Sequence, residues 1–239
     1  MSFLVPPRRF DPLVPEIMDR PGNEPSLLRA DLRVLEEINR LLGGHRIPLL
    51  YLRKRFNLSH SAKPLTVLDL ATGAADVPRI IATWARAQQA NVAITAVDGN
   101  PEILRIAREN TAGWPEIRIE QRNLLTLPYP ATSFDIVLCS LTLHHFSETD
   151  AIAILRRIHD IARAGWIIND LRRNRMAIGL SKLMARTIIT NPIARFDAPA
   201  SCERAFTVAE WRAMATRAGM RHFTIRRHRF FRMALVGHK

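Results

Sequence analysis

Cysteine is nearly absent from this chain. Cys139 and Cys202 are the two in 239 residues, far apart and in no metal-ligand spacing. That argues against a disulfide scaffold or a thiolate metal site, and no metal-binding residues are expected. No apolar run approaches the roughly 20 residues that cross a bilayer, so no transmembrane helix is expected. The opening MSFLVPPRRFDPLVPEIMD places two prolines after its short apolar start and its arginines late. A secretory signal has the reverse order, so a cytoplasmic location with reduced thiols is the expectation. Internal repeats and low-complexity tracts are missing. Lysine is scarce too, 4 residues against 31 arginines.

The remaining composition describes an ordinary globular chain. Hydrophobic residues make up 47%, and the length suits one α/β domain with extras and a large core. The formal net charge is +13. Such a balance invites nucleic acid or an anionic membrane as partner. The basic residues are spread out, however, as Arg8-Arg9, Arg53-Lys54-Arg55, Arg156-Arg157, Arg172-Arg173 and a denser tail. They do not interleave with aromatics as a single-strand-binding surface does. A solvated arginine-rich surface is the first reading and nucleic acid is disfavoured. Peripheral contact with an anionic membrane stays open, as does the oligomeric state.

Chemistry concentrates in VLDLATGAADVP, residues 67–78. Val67, Leu68 and Leu70 read as a buried strand interrupted by Asp69. Ala71 to Ala75 form a loop of small residues that lets a ligand approach the backbone. Asp76 is placed to cap the next helix, and Pro78 suits its first turn. A second acid, Asp98, ends another apolar run in ITAVDGNP. A strand, a small-residue loop, a helix and a carboxylate at the next strand end form a nucleotide-binding layout. The loop keeps only Gly73, and two carboxylates, Asp69 and Asp76, would repel a pyrophosphate. They suit a ligand carrying a cationic amine and a sulfonium beside its ribose.

At these residues the chain resembles the class I S-adenosyl-L-methionine (SAM)-dependent methyltransferases. VLDLATGAA matches their first motif with alanine for the second glycine. The likeness continues in order through AVDGNPEIL (96–104), RNLLTLPYPATSFDIVLCSLTLHHF (122–146) and SCERAFTVAEWRAMATRAGM (201–220), over roughly Leu65 to Gly237. It implies SAM as cofactor and S-adenosyl-L-homocysteine (SAH) as product. The implied fold is a Rossmann-like α/β domain, a seven-stranded sheet in the order 3-2-1-4-5-7-6 with helices on both faces. Asp69 organises the loop and the ligand's amine. Ala71 and Gly73 border the methionine part. Asp98 takes the ribose diol, and Gly99 leaves room for adenine. Asn123 stands where the family reads the adenine amine, with Leu124 giving a backbone amide. Ser140 lies near the methionine moiety.

The expected elements follow from pattern. An extended, proline-rich arm (3–24) precedes an amphipathic helix over 26–42, a second helix over 47–56 and a linker at 57–64. Together 1–63 form an N-terminal arm and helical cap on a methyltransferase domain spanning 64–239. Strands are expected at 65–70, 92–97, 117–121, 134–140 and 165–169, then an antiparallel pair at 222–227 and 231–236. Helices are expected at 77–88, at 101–110 with Asn100 as cap, up to 161 from a Ser147-x-x-Asp150 capping box, and after Thr207 with a Thr-x-x-Glu box. An apolar helix over 174–189 forms a lid within about 171–200.

Methyl transfer is an in-line displacement that asks the enzyme to align nucleophile, carbon and sulfur in a dry site. A hydroxyl or carbon acid also needs a base, and His144 and His145 in LTLHHF are the candidates. Pocket lining or helix capping is their alternative. Asp170 can orient a histidine, bind the acceptor or cap a helix. Arg172 and Arg173 either neutralise an anionic acceptor or face water. No Asn-Pro-Pro-Tyr-type motif follows the fourth strand, no cysteine sits as a nucleophile, and no carboxylate triad suggests a Mg²⁺ mechanism. The expectation is a small, hydrophobic or aromatic acceptor, with O-methylation of a phenol or polyketide-like hydroxyl favoured. C-methylation of a quinone-like ring, an RNA methyltransferase and a SAM-binding protein without turnover are the alternatives.

Overall fold

The computed structural model describes residues 5–55 and 63–239. Most of the expected linker at 57–64, and Phe56 before it, lie outside the described residues. The chain order is α1 (Pro25–Leu41), α2 (Arg46–Arg55), β1 (Leu65–Leu70), α3 (Asp76–Ala87), β2 (Val92–Asp98), α4 (Pro101–Asn110), β3 (Ile117–Gln121) and β4 (Phe134–Ser140). It continues with α5 (Glu148–Ile161), β5 (Ala162–Leu171), α6 (Arg175–Thr187), α7 (Pro192–Arg204), α8 (Val208–Arg217), β6 (Phe223–His228) and β7 (Arg232–His238). The sheet has seven strands in the expected order β3-β2-β1-β4-β5-β7-β6. The first five are parallel, and β7 runs antiparallel between β5 and β6.

Alternation along each strand builds a core on both faces. Leu68, Leu70, Val137 and Cys139 pack with α5 and α8 through Ile154, Leu155, Trp211 and Met214. Val67, Ile136 and Leu138 point the other way, onto Ile81 and Ala82 of α3 and Ile47 and Leu52 of α2. A third cluster joins Leu28 and Leu32 of α1 to Ala74, Ile103 and Ile106, so α1 lies over the loop after β1. No helix among the described residues is long and apolar enough to cross a membrane.

Three local expectations change. Asp76 does not cap α3: Ala75 holds the N-cap position, in the left-handed region at φ 62°, and Asp76 is the first helical residue. Its carboxylate instead meets Arg79 at 2.7 Å and His45 at 3.5 Å. Ser147 caps α5 by accepting the Asp150 N–H, but its own hydroxyl donates to the Asp150 carboxylate, so the reciprocal half of a capping box is missing. The region after α6 holds a further helix, α7. The sequence hid it behind Pro199, which sits inside it, and behind the lack of an apolar stripe. The Thr207–Glu210 capping box forms in full.

Candidate active site

The carboxyl ends of β1, β2 and β4 open into a cavity of about 1310 Å³, closed by the arm, α1, α6 and α7. Pockets for single small ligands run to about 300–1,000 Å³, so this one has room for two molecules. All eight cofactor positions expected from the sequence line it. Gly73 has φ +57°, and a Cβ built there would meet no atom within 4 Å. The loop therefore faces open space on the side where a ligand would lie. Ala71 and Leu141 share this backbone region, at φ 52° and 55°. Non-glycine residues adopt it at a cost, and it recurs at binding sites.

Asp98 is held at the end of β2 by backbone amides. Gly73 N–H donates to Oδ2 at 3.1 Å and Asn100 N–H to Oδ1 at 3.0 Å. Asp69 is buried, and burial together with Asp98 and Asp76 nearby pushes its carboxyl up to about 7. A free-standing cation in this space would be attracted by both acids. Asn123 caps the short turn at Leu124–Thr126 by accepting the Leu125 N–H at 2.9 Å. That oxygen is also the group expected to meet adenine, and it retains a second lone pair. Leu124 is buried beside it, and Ser140 ends β4 with its carbonyl accepting Thr142 Oγ1 at 2.8 Å.

The two histidines occupy one short turn, Leu143–His145, but different environments. His144 is buried, its Nδ1 2.6 Å from Asp170 Oδ1, and its backbone N–H donates to Oδ2 at 3.3 Å. Burial favours the acid form of Asp170. His144 beside it and the Leu171 N–H outweigh that and hold the carboxyl below its ordinary range. With Nδ1 engaged, His144 leaves Nε2 for other chemistry, and the residue lines the cavity. His145 Nδ1 lies 2.7 Å from Asp19 Oδ2. Burial alone would lower its pKa, but Glu16 and Asp19 carry it up to about 9. His145 is an imidazolium at neutral pH in this state.

Several site residues escaped sequence reasoning. Glu16 and Asp19 come from the arm. Asp31 of α1 and Asp197 of α7 join Glu16 as buried acids on the cavity wall, and burial pushes Asp31 and Asp197 up to about 7 and about 6. Arg232 is buried at the start of β7 and gives NH2 to Asn39 Oδ1 at 2.8 Å. Its Nε and NH1 have no hydrogen-bond partner among the described residues, and it too lines the cavity. Gly44 makes room for it, since a Cβ there would stand 2.9 Å from Arg232 NH1. No spacing rule links 16, 19, 31 and 232, so only the fold could reveal them. Arg173 neither faces water nor meets an acceptor. It is buried and donates to the carbonyls of Pro6 (2.9 Å) and Ala205 (2.6 Å) and to Glu210 (2.6 Å).

Comparison with known proteins decides the family. The family described as "Methyltransferase domain" matches residues 67–165, the segment that carries the loop, Asp98 and the histidine turn. Residues 67–165 are a methyltransferase domain, and the chain is similar to the class I SAM-dependent methyltransferases. Among curated relatives of this methyltransferase, the demethylmenaquinone methyltransferase of Deinococcus radiodurans is 39% identical over 103 residues, 42% of this chain and 40% of that protein. The protein of the same name from Thermus thermophilus is 29% identical over 123 residues, 51% and 54% of the two chains. The matches thus span about half the length of these relatives. A SAM-dependent methyltransferase from Aquifex aeolicus shares the fold at a TM-score of 0.61, with 17% identity over 90% of this chain and 98% of that one. Magnesium protoporphyrin IX methyltransferase from Synechocystis, solved with bound SAH, superposes at 0.60 with 16% identity, covering 85% and 86%. The open face of Gly73 between Asp69 and Asp98 fits SAM, the cofactor that the resemblance implies.

Proposed function

We propose that this methyltransferase moves the methyl group of SAM to a small hydroxylated aromatic acceptor. The carrying observation is the buried His144–Asp170 pair, set in the same cavity as the loop after β1. Asp69 and Asp98 hold the amine and ribose of SAM. Asp170 fixes the tautomer of His144, whose Nε2 takes the acceptor's hydroxyl proton as the methyl carbon is attacked. The carbon–sulfur bonding pair stays on sulfur, which leaves as SAH. Arg232 puts a positive charge in the cavity wall that favours a second oxygen on the acceptor, a carbonyl or phenolate. The arm and α6 exclude water. Transfer to the hydroxyl oxygen is the first reading. Transfer to a ring carbon of a quinol is the second, favoured by the names of the two curated relatives and by the place Arg232 offers for a second ring oxygen. The outer face of α6, with exposed Met176, Leu183 and Ile188 flanked by Arg175 and Arg186, suits contact with an anionic membrane from which an apolar acceptor is taken up.

The test is mass spectrometry of products from simple phenols and reduced naphthoquinones incubated with SAM. Methoxy or ring-methyl products are expected. His144→Gln should lower kcat by about 10²-fold or more while SAH affinity holds within about twofold. Full activity in that variant would remove His144 from the mechanism. No methylated product with any hydroxylated aromatic would remove the acceptor class.

A further inference from the structure

The histidine turn and the arm meet in a more specific way than base catalysis requires. Glu16, His144 and His145 each bring a ligand-type atom to one place, all within 4.8 Å of one another. His145 Nε2 stands 3.9 Å from Glu16 Oε2. Both imidazoles are fixed through their other nitrogen by a carboxylate, His144 by Asp170 at 2.6 Å and His145 by Asp19 at 2.7 Å. Glu16 is fixed as well: its Oε2 accepts a hydrogen bond from Ser201 of α7 at 2.8 Å. The short turn that carries Glu16 and Asp19 is itself pinned by Asp197, which accepts the Ile17 and Met18 N–H groups at 2.7 and 3.0 Å.

Metal-binding histidines characteristically give their second nitrogen to a carboxylate, which orients the ring and makes the ligating nitrogen more basic. Here both histidines do so, and the carboxylate that completes the set is oriented too. The electrostatics agree. Glu16, Asp31 and Asp197 are buried together, and neither oxygen of Asp31 has a hydrogen-bond partner among the described residues. Arg204 answers part of that charge, 3.5 Å from Glu16 Oε1. A dication among these groups would offset the rest.

We propose that Glu16, His144 and His145 form a two-histidine, one-carboxylate site for a divalent first-row transition metal such as zinc or iron(II), set in the wall of the acceptor cavity. Two imidazole donors favour those ions over magnesium or calcium, and three protein ligands leave positions open. The role of the site rests on the acceptor reading given above. A hydroxyl coordinated at an open position has its pKa lowered by the cation and loses its proton to water. Its oxygen then attacks the methyl carbon, and the bond pair to sulfur leaves with SAH. His144 is then a ligand, and the cation supplies the activation that its free nitrogen supplies otherwise. This site is invisible in the sequence, because Glu16 lies far from the histidine pair and in no ligand spacing.

The experiment uses untagged protein stripped with a chelator, then equilibrated separately with Zn²⁺ and Co²⁺ and desalted. The expected result is one equivalent of zinc per chain by elemental analysis, and visible ligand-field absorption with Co²⁺ that zinc abolishes. Glu16→Gln and His145→Gln should each bind at least about tenfold more weakly. Asp19→Asn, which acts only through His145, should weaken binding by about 10–100-fold. His222→Asn, at the stacked His222–His238 pair on the far hairpin, should bind as wild type. Calorimetry with SAH on every variant reports the fold and cofactor site independently. Wild-type protein that retains no metal overturns the proposal, as does metal retained undiminished in a Glu16→Gln/His145→Gln double variant that still binds SAH. Stoichiometric metal in a protein that binds no SAH would support the site and overturn the methyltransferase reading.

Discussion

If Asp69 meets the cofactor's ammonium as proposed, the charge states of the two are coupled. Burial beside Asp98 and Asp76 pushes the Asp69 pKa up to about 7, against an ordinary value near 3.8. In the free protein the carboxyl is therefore protonated below about pH 7. This raised acid makes folding less favourable as pH climbs from 3.8 to 7, with no further loss above. The cofactor's ammonium reverses the preference by favouring the ionised form. SAH affinity should thus rise about fivefold from pH 6 to 7 and about tenfold in all by pH 8, where it levels off. Calorimetry at pH 6 in two buffers of different ionisation heat should show release of up to one proton on binding, and none at pH 8. Asp69→Asn should abolish the proton release. Proton release unchanged in that variant would assign it to another group. A small-residue loop between a strand and a helix singles out Asp69, Gly73 and Asp98 in the string, and the fold sets all three in one cavity wall. Arg232 is not singled out there, since an arginine at a strand start is ordinary until burial removes its partners.

At the scale of elements, the arm is a working part of the site. Arg8 donates from Nε to the Arg204 carbonyl (2.6 Å) and from NH2 to the carbonyls of His144 (3.2 Å) and Phe146 (2.7 Å). Its guanidinium also lies 3.8 Å from the centre of the Phe206 ring. Burial and the nearby Arg173 bring its pKa down to about 10, so it stays charged at neutral pH. Arg173 completes the staple by tying the arm at Pro6 to Ala205 and to Glu210 of the α8 capping box. Replacing Arg173 by Met should cost about 3 kcal/mol of stability, because it strands two buried carbonyls and loosens a charged pair. Urea denaturation of the variant measures this, and a loss under about 0.5 kcal/mol would mean that the arm docks without it. The prolines of the arm announced an extended segment, and that part was legible. Where it docks was not, because backbone carbonyls elsewhere in the chain supply most of its partners. The helix α7 was missed for a related reason. Its buried residues Ile193, Ala194, Asp197 and Arg204 include two charged ones, so hydrophobic periodicity gave no signal.

For the whole molecule, the basic excess finds many internal partners. Arg29, Arg79, Arg86, Arg105, Arg163 and Arg217 all pair with acids. The face of α6 is different, with apolar side chains exposed between Arg175, Arg186 and Arg195. The protein should cosediment with phosphatidylglycerol-containing vesicles at low salt, release at high salt, and ignore pure phosphatidylcholine. A Met176→Ser/Leu183→Ser variant should lose most of this binding. Equal binding to neutral vesicles, or none to either, would remove lipid from the reading of this face.

The sequence by itself determined the bounds of most core elements and the small-residue loop after β1, which depend on alternation, caps and small residues acting over a few neighbouring positions. The strand order was legible only through the family resemblance. The tertiary structure decided the acceptor side. It gave His144 a buried carboxylate on one nitrogen and set two acids around His145. It brought Glu16 and Asp19 from the arm to the histidine turn, and it buried Arg232 in the cavity wall. Those outcomes rest on burial and on contacts between distant segments, which no local pattern encodes.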